Sequence, residues 1–174
     1  MRFRRCVAVV LLLAVLGTLG NPLRAQPGAA ADGDLDADLQ KIVADVKAGK
    51  MAALVDRLYT PYVNARGGAA AMKAQEAQAE TVLAGQGLKI MAFSFIKPYQ
   101  SVNTGVREYR IIPAFSVMAV GLRRTEIRTF WLAIRAPGAT GWQFLDGQVI
   151  SRPDARAALF PDLKDTAACR RCRS

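Results

Sequence analysis

Residues 106–135 read VREYRIIPAFSVMAVGLRRTEIRTFWLAIR, and this stretch decides the fold class. It is rich in Val, Ile, Phe, Tyr, Trp and Thr, the residues that favour pleated strands. Gly121 divides it into the runs 106–120 and 122–135, and so short a separator suits a hairpin turn only. The pattern therefore predicts two long antiparallel strands, the first of them bent or bulged at Pro113.

Shorter runs of the same composition lie on both sides of this hairpin. They cover residues 88–97, 99–103 and 142–150, and their separators are Pro98, residues 103–105 and residues 136–141. None of these connections is long enough to contain a crossover helix. The second half of the chain is therefore predicted to be a curved antiparallel β-meander.

The first half of the chain has helical periodicity instead. Apolar residues at helical spacing predict a first helix: Leu35, Leu39, Ile42, Val43 and Val46. Gly49 can supply its left-handed cap. A second helix is expected from Lys50, kinked or ended near Thr60 by Pro61, and a third over residues 69–84, which are rich in strong helix formers. Helices followed by a meander predict an α+β domain with the helices packed on one face of the sheet.

The N-terminus has the pattern of an export signal. Three arginines precede an apolar run at 6–16, which is far shorter than a membrane-spanning helix. We expect cleavage after Ala25, with the alanine run 29–31 as second choice, and a periplasmic or secreted mature protein without a transmembrane segment. The chain then divides into a signal peptide at 1–25, a flexible lead-in at 26–33, one domain at 34–163 and a basic tail at 164–174.

Composition narrows the function. The chain has 174 residues, 24 Lys plus Arg, 14 Asp plus Glu and no His, so histidine-based triads, imidazole bases and His-ligated metal sites are excluded. Residues 1–25 contain four arginines and no acidic residue, so their removal lowers the formal net charge from +10 to +6. Without a basic stripe interleaved with aromatics inside the domain, we expect no nucleic-acid partner. The charge supports at most a weak attraction to anionic envelope surfaces.

Several local motifs resemble the NTF2-like superfamily, the cone-shaped fold shared with ketosteroid isomerases and SnoaL-like proteins. They are LYTP at 58–61, the Gly-Gly break at 67–68, WQFLDG at 142–147 and LFPDL at 159–163. The resemblance covers roughly residues 35–163 and points to uncharacterised exported bacterial members. It implies helices packed on a conical sheet, an NTF2-like cone. Since such folds carry enzymes, ligand binders and assembly adaptors alike, the resemblance leaves the function open.

One face of the 122–135 run is charged at its start and apolar at its end. Glu126 and Arg128 share this face with Phe130, Leu132 and Ile134. This arrangement fits either a cone with a polar mouth and a packed floor, or a sheet edge that extends into solvent.

The resemblance to ketosteroid isomerases implies one catalytic alternative, a histidine-free isomerase or hydrolase. In such an enzyme a buried carboxylate acts as the base beside a tyrosine donor. The candidates are Asp146, Glu126 and Tyr59. Each also has a structural interpretation: Asp146 as a turn residue, Glu126 as an ion-pair partner of a neighbouring arginine, and Tyr59 as a core aromatic.

We expect a non-catalytic role instead. The chain would hold a small apolar or amphipathic ligand in the cone, or a protein partner, including a second copy of itself, through the outward face of the sheet. The expected ligand-binding side chains are aromatic or cationic: Tyr62, Tyr99, Tyr109, Arg128, Trp131 and Trp142. No cofactor or metal is expected. Five arginines on adjacent hairpins indicate either an anion site or a solvated face: Arg107, Arg110, Arg123, Arg124 and Arg128.

The tail carries a Cys-x-x-Cys motif, Cys169 to Cys172, with arginines between the two cysteines. Two thiols are too few for a structural zinc site. An even cysteine count after signal removal predicts a local disulfide in an oxidising compartment. Thiol–disulfide exchange is the alternative, because flanking cations lower thiol pKa values.

Overall fold

The apolar stripe of the first helix covers one face of the sheet. The computed structural model describes residues 29–163, and its first element is α1, Ala29–Lys47. Four side chains of the stripe are buried: Leu35, Leu39, Ile42 and Val46. Gly49 then adopts a positive φ of 70°, which confirms the predicted left-handed end of this helix. The helix begins inside the segment 26–33 that the sequence indicated to be a lead-in.

Three further helical segments follow. They are α2, Met51–Leu54, which continues as a 3-10 turn at Val55–Arg57; α3, Thr60–Ala65; and α4, Ala69–Gly85. The second predicted helix ends at Arg57, close to the predicted end near Thr60. Pro61 lies in the first turn of α3, where helices leave the backbone N–H unpaired, so it begins the next helix. Met72 of α4 packs on Val55 and Val63, so α4 lies over the short helices.

Five strands form a curved, open antiparallel sheet. They are β1, Leu88–Phe95; β2, Gln100–Asn103; β3, Glu108–Val120; β4, Arg123–Arg135; and β5, Gln143–Asp146. The order is β1-β3-β4-β5, with β2 also paired to β3. The predicted hairpin is confirmed, since β3 and β4 pair along their whole length from Glu108↔Arg135 to Val120↔Arg123. A bulge interrupts β1 between Ile90 and Ala92.

The last predicted strand is too long at its C-terminal end. Residues 147–150 are helical and belong to α5, Gly147–Ser151, and α6, Pro153–Leu159, follows. The side chain of Asp146 accepts a hydrogen bond from the Gln148 N–H at 2.7 Å, which caps α5 and ends the strand.

Both faces of the sheet carry a core, which corrects the expectation of helices on one face only. The first face packs against α1 and α2 through Phe93, Ile112, Ala114, Trp131 and Phe144. The second face packs against the C-terminal helices through Tyr109, Ile111, Leu132, Ile134 and Leu145, with Phe160 and Leu163 on the other side. This half of the second face is as apolar as the first, so it also requires a cover.

No helix in residues 29–163 has the length and hydrophobicity that crossing a membrane requires.

Candidate functional site

Two of the tyrosines predicted to have functional roles lie in the contact between the C-terminal segment and the sheet. Tyr109 is fully buried, and its hydroxyl donates to Asp162 Oδ2 at 2.8 Å. The Thr104 hydroxyl donates to the same oxygen at 2.8 Å, and Arg107 lies 3.4 Å from Asp162 Oδ1. Tyr59 stacks on Phe160 with ring centroids 5.1 Å apart. We name this set the C-terminal clamp: Tyr59, Thr104, Arg107, Tyr109, Phe160 and Asp162.

The clamp determines how its ionisable groups titrate. Burial alone would raise the pKa of Asp162, but hydrogen bonds from Thr104 and Tyr109, with the charge of Arg107, hold that pKa below its ordinary value. Burial raises the pKa of Tyr109, and its hydrogen bond to the carboxylate raises it further. Burial also raises the pKa of Tyr59. Both tyrosines therefore stay protonated and support the fold from these positions.

Trp142 is buried and contacts two arginines of the protein itself. The guanidinium carbon of Arg135 lies 4.3 Å from its ring centroid, and that of Arg110 lies 5.5 Å away. Both arginines form ion pairs with Glu108. Burial opposes ionisation of Glu108, but Arg135 and Arg110 hold its pKa below the ordinary value. Two of the five arginines of the suggested anion site, Arg107 and Arg110, thus have acidic partners within the protein.

The remaining predicted residues lie at two separate places on the open surface. The Tyr99 hydroxyl donates to Asp36 Oδ1 at 3.0 Å and so ties the loop before β2 to α1. Glu126 and Arg128 are exposed on the far half of the β3–β4 hairpin, and the guanidinium of Arg128 lies 5.8 Å from the ring centroid of Phe115. The charged end of this strand face extends into solvent, so it forms no closed mouth.

Three predicted residues do meet. Tyr62, Trp131 and Asp146 line a cleft of about 210 Å³ among α2, α3, α4 and the end of β5, which we name the inner cleft. Glu76 and apolar side chains complete its wall: Met51, Leu54, Val55, Leu58, Met72, Leu145 and Val149. Burial raises the pKa of Asp146, and the hydrogen bond from the Gln148 N–H opposes that rise only in part. A carboxyl group with a raised pKa thus lines the same small apolar cleft as a tyrosine.

A larger cavity lies where the sequence indicated no site. It measures about 680 Å³ and opens between the end of α1, the second half of α4 and the first half of β1, and we name it the outer groove. Its walls are mainly apolar: Val46, Ala48, Gly49, Met51, Thr81, Leu83, Ala84, Leu88, Ile90 and Met91. Lys47, Lys89 and Glu80 are its charged residues.

The three charged residues of the outer groove differ in their surroundings. Glu80 Oε1 accepts a hydrogen bond from the Ala52 N–H at 2.8 Å, so its negative charge is directed at the beginning of α2, which has no side-chain cap of its own. Lys47 and Lys89 are exposed. The groove thus combines an apolar interior with two exposed cations, and Met51 lines both this groove and the inner cleft.

Within residues 29–163, no group of three or more acidic or cysteine side chains is placed to hold a metal ion. Cys169, Cys172 and the predicted cleavage site at Ala25 lie outside the described residues.

Comparison with known proteins identifies no relative. No protein-family model matches the chain, no curated protein matches it, and no solved structure matches it.

Proposed function

We propose that this chain is an exported NTF2-like protein that holds a small amphipathic ligand in the outer groove without changing it chemically. Three features support the proposal: the signal-like N-terminus, the order of helices before an antiparallel sheet, and the groove itself. The groove carries the argument, because about 680 Å³ falls within the range of small-molecule sites.

The chemistry of the groove defines the class of ligand. Its interior presents aliphatic and thioether groups, which remove an apolar chain or ring from water. Lys47 and Lys89 are the cations among its lining residues. Lys47, at the end of α1, attracts a carboxylate, sulfate or phosphate head, whereas Lys89 lies on the sheet face opposite Leu88 and Ile90. An anionic amphiphile satisfies both requirements at once.

A binding titration with anilinonaphthalene sulfonate, an anionic fluorescent amphiphile, tests the proposal. Ala84 lines the groove, and Ala74 is exposed on the same helix outside it. We expect Ala84→Trp to weaken probe binding at least tenfold because the indole occupies the cavity, while Ala74→Trp leaves it unchanged. Equal binding by both variants would contradict the proposal.

Native mass spectrometry of the protein purified from its export compartment provides a second measurement. A mature mass that begins at Gln26, with a retained small molecule, is the expected result. A ligand-free dimer or hetero-complex would favour the other non-catalytic role, docking through the sheet face. An uncleaved chain would contradict the exported location.

One observation favours a second candidate function. The inner cleft contains Asp146, whose pKa burial raises, together with the phenol of Tyr62. These are the parts of a histidine-free isomerase, in which Asp146 removes a proton and Tyr62 stabilises the developing oxyanion.

The catalytic alternative can be tested with a β,γ-unsaturated cyclic ketone, whose conversion to the conjugated isomer is followed by ultraviolet absorbance. An isomerase would show turnover that falls by roughly 100-fold or more in Asp146→Asn. A rate equal to that of buffer would leave ligand binding as the function.

A further inference from the structure

The far half of the β3–β4 hairpin extends beyond the core. Buried residues in β3 end at Ala114, and those in β4 begin at Trp131. From there to the turn, the two strands continue in register to the pair Val120↔Arg123. The turn at Gly121 and Leu122 is thus the end of a two-stranded arm. Helices do not cover both faces of this arm, as they do in the near half of the hairpin.

The turn itself is apolar. The side chain of Leu122 is fully exposed, and that of Val120 is 47% exposed. Strand β1 begins beside this turn, because Leu88 pairs with Val120, and Met91 of the same strand is exposed as well. Several exposed apolar side chains thus lie together at one end of the arm, and such a group, unlike a single exposed side chain, indicates a contact with something else.

Cations surround the apolar point. Arg123 and Arg124 follow Leu122 directly, and Lys89 pairs in register with Ala119, which itself pairs with Arg124. Lys89 and Arg124 therefore lie in one row on the same face of the sheet. We name this feature the hairpin tip: Lys89, Val120, Leu122, Arg123 and Arg124.

We propose that the hairpin tip docks the protein on an anionic lipid surface, with Leu122 inserted among the acyl chains and the three cations on the headgroups. Charge complementarity selects this partner: an apolar point inside a cationic ring matches the apolar interior and negative surface of such a bilayer. A second copy of the chain is disfavoured, because pairing two tips would bring their cations together.

The hairpin tip lies beside the outer groove. Leu88 lines the outer groove and pairs with Val120 of the tip, so the groove opens beside the proposed contact. Docking would place the groove next to membrane amphiphiles. The docking does not depend on the groove being occupied, and vesicle binding can therefore fail or succeed independently of ligand binding.

The test is co-sedimentation of the purified protein with vesicles of phosphatidylcholine alone or mixed with phosphatidylglycerol. We expect binding to the anionic vesicles only, and weakening by roughly tenfold or more in Leu122→Ser, since a buried leucine is replaced by a polar side chain. The matched control is Val106→Ser. Val106 is 57% exposed in the turn before β3, roughly 40 Å from the tip along that strand.

Two double variants that each remove two positive charges distinguish binding through the hairpin tip from attraction by the net positive charge of the chain. The double variant Arg123→Gln with Arg124→Gln should weaken binding by roughly 25-fold, at about fivefold per cation. The control, Arg66→Gln with Arg152→Gln, removes the same charge from exposed positions elsewhere and should have little effect. Equal losses in the two double variants would overturn the proposal in favour of unspecific attraction.

A fluorescence measurement tests insertion directly. Leu122→Trp should shift its emission to the blue on anionic vesicles, while Val106→Trp should not. Parent protein that does not bind the vesicles, or Leu122→Ser protein that binds them as the parent does, would overturn the proposal. If Leu122→Ser instead releases a co-purified protein and leaves vesicle binding intact, the tip is a protein-docking site.

Discussion

One hairpin passes through two different environments. Its near half, Glu108–Ala114 with residues 129–135, is covered on both faces by helices, and its polar side chains join the clamp and the Glu108 ion pairs. Its far half, residues 115–120 with 123–128, has the same strand register but ends in exposed leucine and arginine side chains. Backbone pairing therefore forms the hairpin along its whole length. Packing against helices distinguishes the half that is buried in the fold from the half that is exposed.

The largest expected effect comes from one aromatic side chain on the covered half. Phe160 is buried, stacked on Tyr59, and in edge contact with Tyr109 at a centroid distance of 6.0 Å. We expect Phe160→Ala to lower the free energy of unfolding by about 3–5 kcal/mol, because it removes a large core side chain and leaves a cavity. Equilibrium urea unfolding measures the change.

The matched variant on the far half is Leu122→Ala. It should change the free energy of unfolding by less than about 0.5 kcal/mol, because the side chain contacts solvent. A loss similar to that of Phe160→Ala would show that the hairpin tip is packed within the protein, and would contradict the contrast between the two halves.

A smaller effect, with a pH signature, is expected at the clamp. Asp162→Asn keeps the shape of the side chain but removes its charge and weakens three polar contacts, at an expected cost of about 1–3 kcal/mol at neutral pH. The folded-state pKa of Asp162 lies below the ordinary 3.8. Its stabilisation is therefore complete above that pH and is lost as the pH falls through the folded-state pKa.

Urea unfolding of the parent and of Asp162→Asn between pH 7 and pH 3 gives the comparison. The difference between the two proteins should narrow only on acidification below about 3.8. The control is Asp56→Asn, which breaks an exposed ion pair with Lys73 and should cost less than about 1 kcal/mol. A cost at Asp162 that does not vary with pH would mean that its charge has no role in the clamp.

Local pattern was sufficient to predict most of the architecture. The α+β order, the third predicted helix and both long strands follow from periodicity and from Gly121, because those signals are contiguous in the chain. Of the two C-terminal helices, α5 was missed because Val149 and Ile150 favour strands. The signal that could have indicated α5 is Asp146, whose type and position are those of a helix N-cap.

The site was harder to predict, because it depends on residues that meet only in the folded chain. Tyr109 was predicted to bind ligand because it is a tyrosine. Its hydroxyl instead donates to Asp162, which is 53 residues away in sequence. Lys47 ends α1 and Lys89 lies in β1, and neither local sequence indicates that both residues line one groove.

A small effect, with the opposite sign to that at Asp162, is expected at Asp146. Burial raises the folded-state pKa of this carboxyl above the ordinary 3.8, so its ionised form costs stability at neutral pH, and that cost disappears as the pH falls through the folded-state pKa. Asn is as good an N-cap as Asp and can still accept from the Gln148 N–H. We therefore expect Asp146→Asn to leave stability at pH 7 unchanged or to raise it by less than about 1 kcal/mol, with the difference closing on acidification. Urea unfolding at several pH values measures this. A clear loss at pH 7 would mean that the carboxylate is stabilised in place, as Asp162 is, and would remove the feature that distinguishes the inner cleft from the clamp.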